Sequence, residues 1–473
     1  MSAMKTAALF LAIAASGAVV PATARAQASP TDPYFEFLMA RRLEAQGNPQ
    51  AALAALERAE RADPKSAEIK AEIAGLHLRK TPPDREAGEK AAKAALAIDE
   101  KNVEASRSLG FLYVARVDNS DRPLSPQMGE DVRAAIRYLE VAIAGTPGID
   151  ANLQYTLGRL YMRNAEAEKA VQAFVRAVSQ NPNSALARRS LAEAYAAAGN
   201  LQGAIGTLDE VVDFVPSVAK YLAAYQDKAE LFKDAAQSYS MALALEPNNR
   251  DLKAFRIASL YSARDFAAAA AFAAEGRRQH AEDPRFPRLQ GRALFDAGDR
   301  GGAIAVLESM VKTFPKDLPA HWTLVDMYST TDRDADAERT LREILKLEPS
   351  NKNALNHLGY LLAVRGERLD EAISLVRQAL QQEPDNGAYL DSLGWAYFRR
   401  GDLNEAQKYL AAAAEQMPRN SEIQDHLGDL HARRGRLENA IQAWERALEG
   451  DGADVDREAI ERKVQDARSK LTR

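Results

Sequence analysis

The stretch GAYLDSLGWAYFRRGDLNEAQKYLAAAAEQMP, residues 387–418, decides the fold. Turned at about 100° per residue, Leu390, Leu393, Gly394 and Tyr397 share one side of a first helix. Ala406, Leu410 and Ala413 resume a helical spacing after Gly401, so a second helix can fold back and pack its small residues against the first. Glycine suits the intervening turn because it tolerates positive φ, and Pro418 stops the second helix from continuing. Asp391, Trp395 and Phe398 lie on another stripe, about 140–200° round from Leu393. Two explanations fit them: packing against the following unit, or exposure to a ligand.

The same pattern recurs along the chain. Helix-ending prolines stand at 182, 216, 247, 284, 315, 349, 384 and 418, at intervals of 34, 31, 37, 31, 34, 35 and 34 residues. Leu157, Gly158, Tyr161, Ala170 and Phe174 repeat the small-and-large arrangement in one unit, and Leu324, Tyr328, Ala337, Leu341 and Ile344 in another. Gly199, Gly298 and Gly435 occupy the turn held by Gly401.

This pattern resembles the tetratricopeptide repeat, a helix–turn–helix unit of about 34 residues. The resemblance implies an all-α, right-handed α-solenoid of about twelve units over residues 33–452, closed by a C-terminal capping helix. The organisation expected is N-terminal units over 27–150, central units over 151–283 and C-terminal units over 284–452, with the capping helix in 453–473. Two central units, 219–250 and 251–283, are degenerate, and the second unit carries Asp99 where proline is usual. Gly110 and Ala135 are 25 residues apart where Gly394 and Ala406 are 12 apart. The surplus falls in the polar, proline-containing stretch 115–131, which reads as an inserted loop.

Composition agrees with a helical array: 46% of the 473 residues are hydrophobic, chiefly alanine and leucine, without alternating β-branched runs. Residues 1–26 read as a secretory signal, with Lys5, the apolar run 7–20 and an Ala24-Arg25-Ala26 cleavage site. The expected location is therefore periplasmic or otherwise exported. The net charge of −5, or −7 without Lys5 and Arg25, gives no electrostatic reason to expect nucleic acid. There is no cysteine, which rules out disulfides, thiolate metal sites and the acylated cysteine of a lipoprotein. Any membrane association is then indirect.

Catalytic signatures are missing as well. The chain has no P-loop lysine motif, no H-E-x-x-H and no G-x-S-x-G. Glu422, His426 and Asp429 share one helical face, but three groups at that spacing read more simply as a polar surface than as a metal site. The reading is a non-enzymatic protein with no cofactor, metal or small-molecule substrate.

In tetratricopeptide repeats the fifth, ninth, twelfth and thirteenth positions of the first helix line the concave face. Carried onto this sequence, the resemblance selects Asp391, Trp395, Phe398 and Arg399 from the unit beginning at Gly387. It adds Trp322 and Asp326, Asn356 and Tyr360, and Asp425, Asp429 and Arg433 from the units beginning at Leu318, Lys352 and Ser421. Aromatic anchors beside hydrogen-bonding groups suit a protein-binding groove. Trp444, in place of Leu410 or Phe174, reads as core.

The segments RGERLDEA (365–372), DSLGW (391–395) and EIQDHLGD (422–429), with the ending WERAL (444–448), resemble a group of exported bacterial repeat adaptors. The best-understood members of that group are outer-membrane lipoproteins that activate carboxyl-terminal processing proteases and deliver clients to them. The resemblance covers about the last hundred residues. It implies a protein partner, with a periplasmic processing protease as the candidate. This chain departs from the lipoproteins in lacking the cysteine. The alternative is a periplasmic scaffold for envelope polysaccharide export or secretion machinery.

Overall fold

The computed structural model describes residues 32–117, 123–451 and 455–472, so the expected signal segment lies outside the described residues. Among the described residues the chain is all α. Twenty-five helices run from Pro33–Ala45 to Arg457–Leu471, with a 3-10 turn at Pro216–Val218 and a single isolated bridge between Asn420 and Asp451. The first twenty-four form a succession of first and second helices, and the last follows alone. The chain divides into two compact units, Met1–Thr207 and Leu208–Arg473.

Local chemistry explains where these helices start and stop. Asp150, Ser184, Asn249, Asp317, Asn351, Asn386 and Asn420 each accept a backbone N–H of the first turn that follows, satisfying a donor the helix itself leaves unpaired. Inside most pairs the chain reverses through a left-handed residue. Gly199, Gly298, Gly401 and Gly435 take this role with φ of 78°, 93°, 94° and 73°. Ala165, Glu230, Arg264 and Asp332 adopt the same conformation at equivalent turns despite carrying side chains. The two degenerate units are therefore complete hairpins, Ala219–Lys228 with Phe232–Leu245 and Arg250–Ser262 with Phe266–Gln279.

In the first unit, Val132, Ala135, Leu139, Leu157, Tyr161 and Phe174 belong to one continuous core. The expected loop at 115–131 is only partly a loop. The helix Pro126–Ala144 begins inside it, because Ser125 accepts the Met128 N–H and Pro126 supplies a preset first-turn φ. Residues 118–122 of that stretch lie outside the described residues.

In the second unit one apolar core runs from Ala303 to Ala443. Two of its helices approach closely at Gly394, where a Cβ would stand 2.7 Å from Leu410 Cγ and 2.9 Å from the Leu410 backbone nitrogen. Beyond it, Ile460, Val464 and Ala467 of Arg457–Leu471 pack on Ala440, Ile441 and Trp444. The last helix thus covers the apolar face of the last hairpin.

The contacts at Gly394 set two opposite expectations. Gly394→Ala should destabilise the second unit by about 1–3 kcal/mol, since backbone must move and overpacking exceeds the gain in helix propensity. Gly206, exposed within Leu201–Asp209 with nothing within 4 Å of its missing Cβ, should gain up to about 1 kcal/mol as alanine. Chemical unfolding of the two variants checks both signs, and a stabilised Gly394→Ala protein would contradict the packing account.

Candidate protein-binding groove

Four consecutive first helices carry the site: Leu318–Ser329, Lys352–Arg365, Gly387–Arg400 and Ser421–Arg433. Each starts on an Asp or Asn cap, at 317, 351, 386 and 420, so residues equally far from the caps line up from one unit to the next. Across them opens a cleft of about 290 Å³ whose walls include Trp322, Asn356, His357, Tyr360 and Glu422.

At one end Trp322 stacks on His357, with ring centroids 6.4 Å apart. Burial holds the His357 imidazole below its usual pKa, against the pull of Asp326, so it is neutral at pH 7. Further along, the Tyr360 hydroxyl donates to Glu422. Burial first and the Glu422 carboxylate second push that phenol far above its ordinary pKa, which fixes it as a donor. Tyr389 likewise donates to Asn353, at 2.6 Å. The Asn356 side-chain oxygen receives no hydrogen bond.

Beneath the cleft the structure settles the question posed by Trp395 and Phe398. Trp395 lies flat on His426 of the following unit, with centroids 3.9 Å apart and planes 14° from parallel. Phe398 stacks on Trp395 at 4.9 Å and is itself capped by the Arg433 guanidinium at 5.2 Å. His426 Nδ1 sits 3.0 Å from both oxygens of Asp391. Phe398 is 8% exposed, Asp391 4% and His426 6%. The expectation that Phe398 looks freely into the groove is therefore corrected, and Asp391, although on the cleft wall, is tied to His426. Successive first helices press together along that stripe, and these side chains form the seam.

The other expected groove residues take varied positions. Trp322, Asn356 and Tyr360 border the cleft, half-buried, and Asp326 is exposed one turn beyond Trp322. Arg399 reaches back to donate to the Val364 carbonyl oxygen. Asp425 and Asp429 both pair with Lys463 of the last helix, at 2.8 and 2.7 Å, and Asp429 also accepts the Trp444 indole N–H at 3.1 Å. Glu422, His426 and Asp429, although on one face, thus turn to three different partners. Among the described residues no group of three or more His, Asp or Glu could hold a metal ion. No described helix is long and apolar enough to cross a membrane.

Sequence reasoning did not select Asn353, His357, Tyr389 or Glu422 for the groove. The signal available was register: Asp391 and His426, 35 residues apart, occupy the fifth and sixth positions of successive first helices. Adjacent positions in adjacent units therefore meet, and the sixth position should have been included.

A TPR repeat-containing protein of Pseudomonas aeruginosa is 35% identical over 122 residues, which is 26% of this chain and 21% of that protein. The chain thus spans about a fifth of the length of that relative. Among solved structures, the Naa15/Naa10 complex bound to HypK-THB matches with a TM-score of 0.47 and 17% identity, over 90% of this chain and 69% of that one. The MamA protein matches with a TM-score of 0.31 and 21% identity, over 40% of this chain and 94% of that one. Family profiles described as tetratricopeptide repeat match residues 37–103, 155–219 and 333–387, and residues 294–358 and 363–430. Together those matches span more than half of the sequence and coincide with the helix pairs described above, and the chain belongs to the tetratricopeptide-repeat family.

Proposed function

We infer that this protein is a non-catalytic scaffold of the bacterial periplasm that holds segments of partner proteins in the cleft of its last four units. Tetratricopeptide repeats generally mediate protein–protein interaction. The observation that carries the reading is the cleft itself, where half-exposed Trp322 and Tyr360 flank asparagine amides on four aligned helices. Rigid aromatics beside hydrogen-bonding groups are how a small area binds a peptide firmly. A carboxyl-terminal processing protease with its clients is the most concrete partner, on the strength of the DSLGW and EIQDHLGD segments. The scaffold would act by tethering, which raises the effective concentration of client around protease.

The test is crosslinked affinity purification from the native envelope, with wild type and Trp322→Ala as parallel baits. Trp322 is half-buried at the border of the cleft and stacks on His357, so the variant is used as bait only after its thermal unfolding matches that of wild type. Partner binding should weaken by about 2 kcal/mol, roughly thirtyfold. Recovery of export or secretion components would replace the protease. Equal recovery of every partner by both baits would remove the cleft from the function.

A further inference from the structure

The chemistry of the cleft selects its occupant. Among the residues that line it there is no lysine and no arginine, and its one histidine outside the seam, His357, is neutral at pH 7. Its carboxylates are placed differently from those elsewhere in the same unit. Glu338, Asp336, Asp370 and Glu383 each pair with an arginine or lysine. Glu422 accepts only the Tyr360 hydroxyl, and Asp326, one turn beyond Trp322, forms no direct ion pair among the described residues. Partial desolvation raises the Asp326 pKa, against the weaker pull of His357 and Arg292. The Trp322 and Tyr360 rings, whose faces attract cations, share the cleft wall with Glu422. The Asn356 amide oxygen, on a residue of the cleft wall, is buried and has no donor. Along the lining, acceptors and aromatic faces are in surplus and no lysine or arginine answers them.

We propose that the cleft receives an arginine or lysine side chain from the partner segment, seated against Trp322 and Tyr360 and held by Glu422, Asp326 and Asn356. The proposal rests on the scaffold reading and names the partner's chemistry: a basic segment, not an acidic one and not a chain-terminal carboxylate. Arginine fits best, because its planar guanidinium both stacks on an aromatic face and donates in two directions.

The experiment titrates the full chain with acetylated, amidated glycine pentapeptides bearing one central arginine, lysine, citrulline or glutamate, to about 5 mM, following tryptophan fluorescence and calorimetry. Arginine and lysine peptides should bind saturably. Citrulline, which keeps the shape and loses the charge, should bind at least tenfold more weakly, and glutamate not at all. The Asp326→Asn, Glu422→Gln double variant, checked for unchanged thermal unfolding, should lose the arginine peptide at least tenfold. Equal binding of citrulline, a preference for glutamate, no saturable binding of any peptide, or an unaffected double variant would each overturn the proposal. The scaffold reading is tested separately: a Trp322-dependent partner recovered from the envelope would leave that reading standing even if the arginine peptide fails.

Discussion

Replacing Trp444 by alanine is expected to remove about 3–5 kcal/mol from the last hairpin, the range found for large aromatics deleted from cores. Trp444 is 4% exposed and packs with Ile441, Ala447, Ile460 and Val464. Gly428 makes room for it, since a Cβ there would lie 2.4 Å from Trp444 Cδ1. Deleting the indole therefore opens a cavity that its rigid neighbours cannot close. It also takes from Asp429 the N–H donor at 3.1 Å, leaving Lys463 as that carboxylate's partner. In a repeat array each hairpin contributes its own stability and that of its nearest interfaces. The loss should thus appear as faster hydrogen exchange confined to residues 421–471, with residues 219–283 unchanged. Exchange that accelerates evenly along the second unit would contradict this nearest-neighbour picture.

A comparable effect is expected at the seam. His426→Ala should destabilise the same unit by about 3–5 kcal/mol, because it leaves the buried Asp391 carboxylate without its partner. The pH dependence has a definite sign. Burial disfavours charge on His426, but Asp391, with Glu422 and Asp425 nearby, more than offsets it, and the folded pKa lies above the ordinary value. Tyr360, the other ionisable group against the ring, stays protonated. The folded protein therefore holds this proton more tightly than the unfolded chain. The resulting stabilisation is fully present below about pH 6.5 and is lost as pH rises through the higher folded value. Denaturation midpoints of wild type and His426→Ala, compared from acidic to mildly alkaline pH, should converge as pH rises. A constant gap would mean that the imidazole acts by packing alone.

How much of this could be read from the sequence depends on what each residue reports. Helix pairing was legible because Leu393, Gly394, Ala406 and Leu410 are chosen by contact inside one hairpin, and such contacts leave a spacing. The hairpins at 219–283 looked degenerate because their bounding prolines stand 31 and 37 residues apart, yet Glu230 and Arg264 hold the left-handed turn that glycine holds elsewhere. Backbone geometry was kept there while the residue that advertises it was not. The helix start at Pro126 was hidden by polar neighbours, since Ser125 and Pro126 read equally well as a turn. At the site, Trp322, Asn356 and Tyr360 were selected by the positions that the repeat resemblance assigns, and all three border the cleft. The orientations of Phe398 and Asp391 were not, because a contact between successive units depends on the rotation of one hairpin on the next, and no spacing within a hairpin records it. Trp444 was assigned to the core from its equivalence to Leu410 and Phe174, and its burial agrees.

The seam has one more consequence. Phe398, Trp395 and His426 form a stack that runs from one hairpin to the next, and Trp322 with His357 forms a shorter one two units earlier. Where these rings meet, flat side chains in contact set the angle between neighbouring hairpins. The curvature of these units is then written in a handful of aromatic side chains, and thinning any one of them loosens the joint it closes.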